Sequence, residues 1–186
     1  MTDVLTIGGS PAAPSRCAVT LDYLRTDLER RGLTTASIEA RDIDPVSLMH
    51  ARFDHPDVRA GIDAVLSARA IVIATPVYKA AYSGVLKSFL DMLPMGVLEG
   101  KTVLPLTTAG SLAHCLALDY ALKPVLAALG ARHILQGICL LDTDFAYGEG
   151  GAIALGGQTG ERLAIALDHL HTALSARPVI IEERVA

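Results

Sequence analysis

Short apolar runs alternate along the chain with longer segments in which apolar residues recur every three or four positions. The short runs predict β-strands near residues 3–8, 34–39, 70–75, 102–107 and 132–141. After the first strand, one helix face carries Cys17, Leu21, Leu24 and Leu28, and that helix is predicted to end at Gly32. Further helices are predicted near 57–69, 83–93, 112–129 and 160–175. This alternation is typical of a parallel sheet with helices on both faces.

The number of predicted elements indicates a particular α/β arrangement. The chain of 186 residues suits a single domain over residues 1–186, with a C-terminal tail over 176–186. Five strands predict a three-layer α/β/α sandwich with a parallel sheet in the order 2-1-3-4-5, the flavodoxin-like arrangement. In such a sheet a ligand binds at the carboxyl ends of strands 1, 3 and 4. The glycine-rich stretch 148–157 predicts a mobile loop.

Composition excludes several classes of function. A net charge of −4 is too acidic for a nucleic-acid partner, and no run approaches the roughly 20 apolar residues of a membrane span. The N-terminus lacks the features of a signal peptide, so a cytoplasmic location is expected. The cysteines, Cys17, Cys115 and Cys139, are odd in number and far apart, so we expect neither a disulfide nor a zinc site. The six histidines show no metal-ligand spacing.

The loop after the first strand, residues 8–16, has the composition of a phosphate site. Two glycines lead into a helix, whose N-terminus favours an anion. Hydroxyl donors and a guanidinium with suitable geometry come from Ser10, Ser15 and Arg16, and Pro11 lies in the same turn. The alternative is a tight turn with Ser15 as a helix N-cap and Arg16 in solvent. The loop matches neither a P-loop nor a dinucleotide-binding fingerprint. Its size suits one terminal phosphate, as on FMN.

Two further loops follow strands at the same predicted edge of the sheet. The second loop, residues 76–84, could border a flat heterocycle with Pro76, Val77, Tyr78 and Lys79. The third loop, residues 107–111, could approach a ring edge closely and donate N–H groups, through Thr107, Thr108, Ala109, Gly110 and Ser111. Ordinary loop packing would tolerate both compositions. The three loops together indicate a ligand site more specifically than any one of them does alone.

One proline lies inside the predicted helix at 112–129. Pro124 removes an N–H and crowds the carbonyl of Tyr120, four residues earlier. A kink or π-bulge is therefore expected at Tyr120. The alternative is a simple kink with Tyr120 packed against a neighbour.

Several motifs together resemble the NADPH-dependent FMN reductases, in particular the reductases of two-component alkanesulfonate monooxygenase systems. The resemblance spans about residues 4 to 142 and fades beyond Asp142. It is carried by Gly9-Ser10-Pro11, Ser15-Arg16, Ala51-Arg52-Phe53-Asp54, Ala74-Thr75-Pro76-Val77-Tyr78-Lys79-Ala80-Ala81-Tyr82-Ser83-Gly84, Gly100-Lys101 and Asp119-Tyr120-Ala121-Leu122-Lys123-Pro124-Val125-Leu126.

The resemblance implies a flavodoxin-like fold in which the first loop binds the FMN phosphate and the other two loops hold the isoalloxazine. It implies that NADPH reduces FMN, that reduced FMN passes to an alkanesulfonate monooxygenase, and that Tyr120 marks a π-helix at the interface of a homodimer or homotetramer. No catalytic acid or base is expected, because orientation of the cofactors suffices for hydride transfer. The residues alone do not decide whether the protein uses NADPH or NADH. They also leave two alternative functions open, an FMN-retaining quinone or azo reductase and a flavodoxin-type electron carrier.

Overall fold

The computed structural model describes residues 2–176, and its centre is a parallel β-sheet. The strands are β1 Thr2–Gly8, β2 Thr35–Glu39, β3 Ala68–Tyr78, β4 Ala81–Tyr82, β5 Thr102–Ala109, β6 His133–Ile134, β7 Ile138–Leu141, β8 Phe145–Tyr147 and β9 Ile153–Leu155. Strands β2, β1, β3, β5 and β6 follow one another across the sheet, and β7 continues beside β5. The predicted order 2-1-3-4-5 is confirmed.

Six α-helices connect or flank these strands within the described residues. They are α1 Arg16–Arg30, α2 Pro45–Met49, α3 Pro56–Ser67, α4 Gly84–Leu90, α5 Lys123–Ala128 and α6 Thr159–Ser175. The short α2 was not predicted, because five residues are too few for a helical period to show. None of the helices within residues 2–176 is long and apolar enough to cross a membrane.

The core consists of two apolar layers, one on each face of the sheet. Successive strand residues point to opposite faces, so Leu5 and Ile7 pack beneath α3, α4 and α5, whereas Val4 packs beneath α1 and α6. In β3, Ile71 and Ile73 join the first layer in the same way. The result is the predicted three-layer α/β/α sandwich of the flavodoxin-like type.

The fifth predicted strand, 132–141, is broken into β6 and β7. The gap at residues 135–137 lies opposite Pro105 of β5, since Val103 pairs with Ile134 and Leu106 pairs with Ile138. Proline has no N–H to donate to a neighbouring strand. Gly137 closes the gap at φ +80°, and a Cβ there would lie 2.5 Å from the carbonyl oxygen of Pro105. The apolar pattern alone did not predict this break.

The predicted helix 112–129 is three different helical segments. A 3₁₀-helix spans Leu112–Cys115, a π-helix spans Leu118–Leu122, and α5 follows with Pro124 in its first turn. The π-helical backbone expected at Tyr120 is therefore present. The reason is local, because the ring of Pro124 forces the carbonyls of the preceding turn apart.

One other segment differs from the sequence prediction. The stretch 148–157, predicted as a loop, contains the turn and the second strand of an antiparallel hairpin, in which Phe145 pairs with Leu155 and Tyr147 with Ile153. Its turn uses Gly150 and Gly151, both at positive φ. The tail predicted at 176–186 lies outside the described residues except for Ala176, which ends α6.

The expectation of no disulfide was wrong: Cys115 and Cys139 are bonded, with their Cα atoms 5.4 Å apart. The two residues are 24 positions apart in sequence. They meet because β7 runs beside the end of β5, while the 3₁₀-helix after β5 folds back over that edge. The prediction considered only cysteines that lie close together in the sequence. It therefore missed a pair that the fold of the sheet edge brings together.

Candidate functional site

A cavity of about 310 Å³ opens at the carboxyl edge of the sheet, where the three loops meet. The first loop forms much of its wall, β3 and β5 each contribute, and the segment after β7 closes the remaining side. The lining residues are Ser10, Ala12, Pro14, Ser15, Arg16, Cys17, Pro76, Tyr78, Thr108, Asp142, Tyr147 and Ile153. Of the thirteen residues predicted to bind a cofactor, Ser10, Ser15, Arg16, Pro76, Tyr78 and Thr108 line this cavity.

The first loop holds its two serines in buried positions. Ser10 is 3% exposed and its Oγ accepts a hydrogen bond from the Ala12 N–H at 3.2 Å. Ser15 is 7% exposed and caps α1, accepting from the Ala18 N–H at 3.1 Å. The N-cap alternative for Ser15 is thus realised. It does not prevent a ligand contact, because a hydroxyl that accepts one bond can still donate its own proton.

Arg16 lies in the wall of the cavity. Its guanidinium forms an ion pair with the Asp142 carboxylate and lies 5.9 Å from the centre of the Phe145 ring. Arg16 Nη1 is buried, and it makes no hydrogen bond of regular geometry to any described residue. Since arginine stays protonated, this is a fixed positive charge in the cavity wall. It fits an anionic group of a ligand, and a phosphate suits the forked donors best.

Buried hydrogen bonds connect the first loop to the second. The Ser83 hydroxyl donates to the carbonyl oxygen of Gly9, and Ser83 also caps α4 by accepting from the Leu86 N–H at 3.1 Å. The Ser83 N–H in turn donates to Thr75 Oγ1 at 3.1 Å. Ser83 is only 1% exposed. These bonds fix the distance between the ends of β1 and β3.

An ion pair supports the first loop from below. Arg41 Nη1 donates to the carbonyl oxygen of Ala12 at 2.9 Å and lies 2.9 Å from Glu39 Oε2. Burial raises the pKa of the Glu39 carboxyl, and the charge of Arg41 opposes that rise. Gly8 leaves room for the carboxylate, because a Cβ at Gly8 would overlap it. Sequence analysis missed this pair, since nothing local relates the end of β2 to the first loop.

The floor of the cavity joins α1 to the third loop. Cys17 Sγ lies 3.5 Å from Thr108 Oγ1 within hydrogen-bonding distance. Burial raises the pKa of the Cys17 thiol to about 11, so it is neutral at physiological pH. Cys17 therefore acts here as a buried packing residue and not as a nucleophile.

The second loop begins later than predicted. Pro76 and Val77 continue β3, which is tolerated because β1 ends opposite Ala74 and leaves β3 with a neighbour on one side only. The turn itself is a two-residue hairpin at Lys79 and Ala80, with φ of +51° and +63°. Val77 pairs with β4, and neither it nor Lys79 lines the cavity.

The third loop is also shorter than predicted, because β5 continues to Ala109 beside β7. Thr107 and Ala109 are buried and point away from the cavity that Thr108 lines. Gly110 and Ser111 form the exposed turn, and a Cβ at Gly110 would lie 3.9 Å from Asp142 Oδ2. Pro11 lines a separate apolar cavity together with Arg41 and Met49.

Ala12, Pro14 and Cys17 line the cavity although they were not predicted to bind a cofactor, and three further unpredicted lining residues follow β7. They are Asp142, Tyr147 and Ile153, which come from the turn after β7 and from the β8–β9 hairpin. The acidic turn is held by Asp144, which accepts from the Leu141 N–H at 2.7 Å and pairs with Arg162 at 2.9 Å. Tyr120 is 79% exposed at the π-helix, and Pro124 is exposed after it. Neither lines the cavity.

Comparisons with known proteins identify the family of the chain. The family model of NADPH-dependent FMN reductases matches residues 2–146. The chain is 47% identical to an FMN reductase (NADPH) of Pseudomonas putida over 176 residues, covering 94% of this chain and 89% of the relative. It is 47% identical to an FMN reductase (NADPH) of Escherichia coli over 135 residues, covering 73% and 71%.

A solved structure supports the same assignment. The chain is similar to an apo NADH:FMN oxidoreductase with a TM-score of 0.84 and 35% identity, covering 96% of this chain and 92% of that one. The matched fold and the matched sequence thus cover the edge of the sheet that carries the cavity. The chain belongs to the NADPH-dependent FMN reductase family, and it is an oxidoreductase that uses FMN and NADPH.

Proposed function

We propose that the cavity at the carboxyl edge is the FMN site of this reductase, with the phosphate at the first loop. The observation that carries this proposal is the convergence of Ser10, Ser15 and Arg16 on one cavity at the N-terminus of α1. The helix dipole, two hydroxyls and a fixed cation all favour a phosphate there. The ring then lies between Tyr78 and the third loop, where Thr108 borders the cavity.

The chain's residues act by binding and orientation. Bound FMN supplies an acceptor for the hydride of NADPH, so the protein needs no nucleophile. Tyr78, half exposed at the mouth, leaves one side of the site open to the nicotinamide. We expect N–H groups of the turn at Gly110 and Ser111, which follows Thr108, to donate to the edge of the ring. Arg16 and the two serines hold the phosphate while the two cofactors align.

We further propose that FMN is a substrate which leaves after reduction, and that a partner monooxygenase takes it up. The resemblance to reductases of alkanesulfonate monooxygenase systems supports this role. So does the accessible mouth of the cavity, where Tyr78 is 50% exposed. The partner would use reduced FMN with oxygen to release sulfite from alkanesulfonates.

A flavin titration tests the site. NADPH oxidation is followed without oxygen while FMN, FAD or riboflavin is added. We expect a clear preference for FMN, because riboflavin has no phosphate for Arg16 and FAD carries a bulky nucleotide on it. Equal rates with riboflavin would overturn the phosphate assignment.

A second measurement tests the release of flavin. The purified protein is passed through a desalting column, and its flavin content and its reduction of quinones are measured. We expect little retained FMN and no quinone reduction without added flavin. Stoichiometric FMN with quinone reduction would instead identify an FMN-retaining quinone reductase.

We propose in addition that exposed Tyr120 lies at a homodimer or homotetramer interface. An exposed aromatic ring on a π-helix, next to exposed Leu116, supports this role. Light scattering of Tyr120→Asp measures it. We expect a smaller assembly than the wild type, and an unchanged mass would contradict the proposal.

A further inference from the structure

We infer that Asp142 competes with the flavin phosphate for Arg16, and that this competition sets how readily FMN leaves. The inference rests on the proposed FMN site. It concerns an affinity-determining residue that lies after β7, in the segment where the sequence resemblance fades.

The geometry places an anion where the phosphate is expected. The Asp142 carboxylate contacts Arg16 Nη1 inside the cavity that Ser10 and Ser15 line. The Arg16 side chain is 24% exposed, so its guanidinium can meet few partners at once. The Phe145 ring lies beside it at 5.9 Å. A phosphate that reaches the same nitrogen must therefore displace the carboxylate or lie against it.

The carboxylate of Asp144, two residues further on, has partners other than Arg16. Asp144 is held by Thr159, by Arg162 and by the Leu141 N–H. These bonds anchor the turn to α6 and fix the backbone on both sides of Asp142. Asp142 itself is directed at Arg16, and its side chain is 56% exposed. It is thus free to turn toward solvent when a stronger anion arrives.

The electrostatics explain why such a residue suits a released flavin. An FMN phosphate carries up to two negative charges, and a carboxylate within a few ångströms opposes it in a partly desolvated site. In the flavin-free state the same carboxylate satisfies the charge of Arg16, which cannot lose its proton. The ion pair therefore stabilises the empty enzyme and weakens the flavin complex. Both effects favour release.

The decisive variant is Asp142→Asn, which keeps the side-chain size and removes the charge. We expect its dissociation constant for FMN to fall about 5- to 30-fold, because a partly exposed charged pair no longer competes. The constant for riboflavin should stay within about twofold of the wild type. Fluorescence titration measures both constants. Asp142→Glu should stay near the wild type, and Asp22→Asn, on the exposed face of α1, controls for net charge.

Release and stability give two independent readouts. In stopped-flow dilution, FMN should leave Asp142→Asn more slowly, and turnover at saturating FMN should fall while kcat/KM for FMN rises. Urea unfolding without flavin should show Asp142→Asn less stable than the wild type, and saturating FMN should remove that difference. A merely structural role would destabilise the variant with FMN as well.

The outcomes separate this inference from the proposed site. If Arg16→Ala weakens FMN binding but Asp142→Asn leaves it unchanged or weaker, then Asp142 does not compete and this inference alone is overturned. Weaker binding would make Asp142 a residue that orients Arg16. If Arg16→Ala leaves FMN binding unchanged, the proposed phosphate site fails first, whatever Asp142→Asn does.

Discussion

The first loop and the second loop border the same cavity, yet they are built in opposite ways. Ser10 and Ser15 of the first loop are 3% and 7% exposed, whereas Tyr78 of the second loop is 50% exposed. The first loop is held by a buried hydrogen bond from Ser83 and by an exposed one from Arg41. The second loop turns through two non-glycine residues at positive φ.

This contrast teaches how one site can bind a ligand specifically and still exchange it. A preorganised, buried loop recognises the charged end of a ligand, because little order is lost when it binds. An exposed loop leaves the other end accessible to a second molecule. The loop after β1 thus determines which ligand binds, and the loop after β3 determines how accessible the bound ligand is. Each prediction below changes one of the two loops, the connection between them or the floor beneath the first loop.

The largest effect is expected from Arg16→Ala. Loss of a charged hydrogen bond should weaken FMN binding by about 1.5–3 kcal/mol, while riboflavin binding stays unchanged. Fluorescence titration measures both. Arg25→Ala, on the exposed side of α1 beside Asp22 and Glu29, is the matched control. Equal losses for FMN and riboflavin would mean that Arg16 does not recognise the phosphate.

The next effect tests how deeply the floor beneath the first loop is buried. The pKa of the Cys17 thiol is about 11 in the folded protein against its ordinary value of 9.0. The folded state therefore retains this proton longer than the unfolded state does. The corresponding stability is fully present below pH 9 and is lost as pH rises through 11, by about 2–3 kcal/mol.

Urea unfolding of the wild type and Cys17→Ala between pH 8 and 11.5 measures this difference. The variant lacks the thiol, so its curve records the contribution of all other groups in this pH range. We expect the two curves to converge as pH rises. If the free energies of unfolding of the two proteins instead changed in parallel with pH, Cys17 would be accessible to solvent and the floor of the cavity would not be buried.

A smaller effect is expected from Ser83→Ala, which removes the connection between the two loops. The Gly9 carbonyl and the Leu86 N–H would lose their buried partner, which should destabilise the protein by about 1–2 kcal/mol. Urea unfolding measures the loss. Ser88→Ala, whose hydroxyl donates only to the Val85 carbonyl of its own helix, should change stability much less. Equal losses would refute the connecting role.

The smallest effect concerns the strained turn of the second loop. Ala80→Gly should stabilise the protein by about 0.5–1 kcal/mol, because glycine adopts the positive φ of +63° without a steric penalty. Thermal unfolding measures it. Ala81→Gly, in the adjoining strand β4, should have the opposite sign. A loss of stability in both variants would show that the turn is not strained.

The parts of the fold that depend on local chemistry were predictable. Apolar runs determine the strands, and the parallel order then brings the three loops to one edge. Pro124 predicts the π-helix at Tyr120, because the steric cause and its effect lie within one turn of helix. The same reasoning placed Ser10, Ser15 and Arg16 together.

The parts that depend on distant pairing were not predictable. Arg41 supports Ala12, and Asp142 meets Arg16, only after the sheet has formed. The Cys115–Cys139 bond depends in the same way on the fold of the edge. Thr107 was assigned to the site by composition, but the alternation of β5 turns it to the other face.

Pro105 has an influence that reaches the cavity. Because β5 cannot bond to its neighbour at that point, the outer strand stops and resumes as β7, which runs to Leu141 opposite Ala109. The next residue, Asp142, therefore lies beside Arg16. Pro105, in the interior of β5, thus determines where the Asp142 side chain enters the cavity at the edge of the sheet.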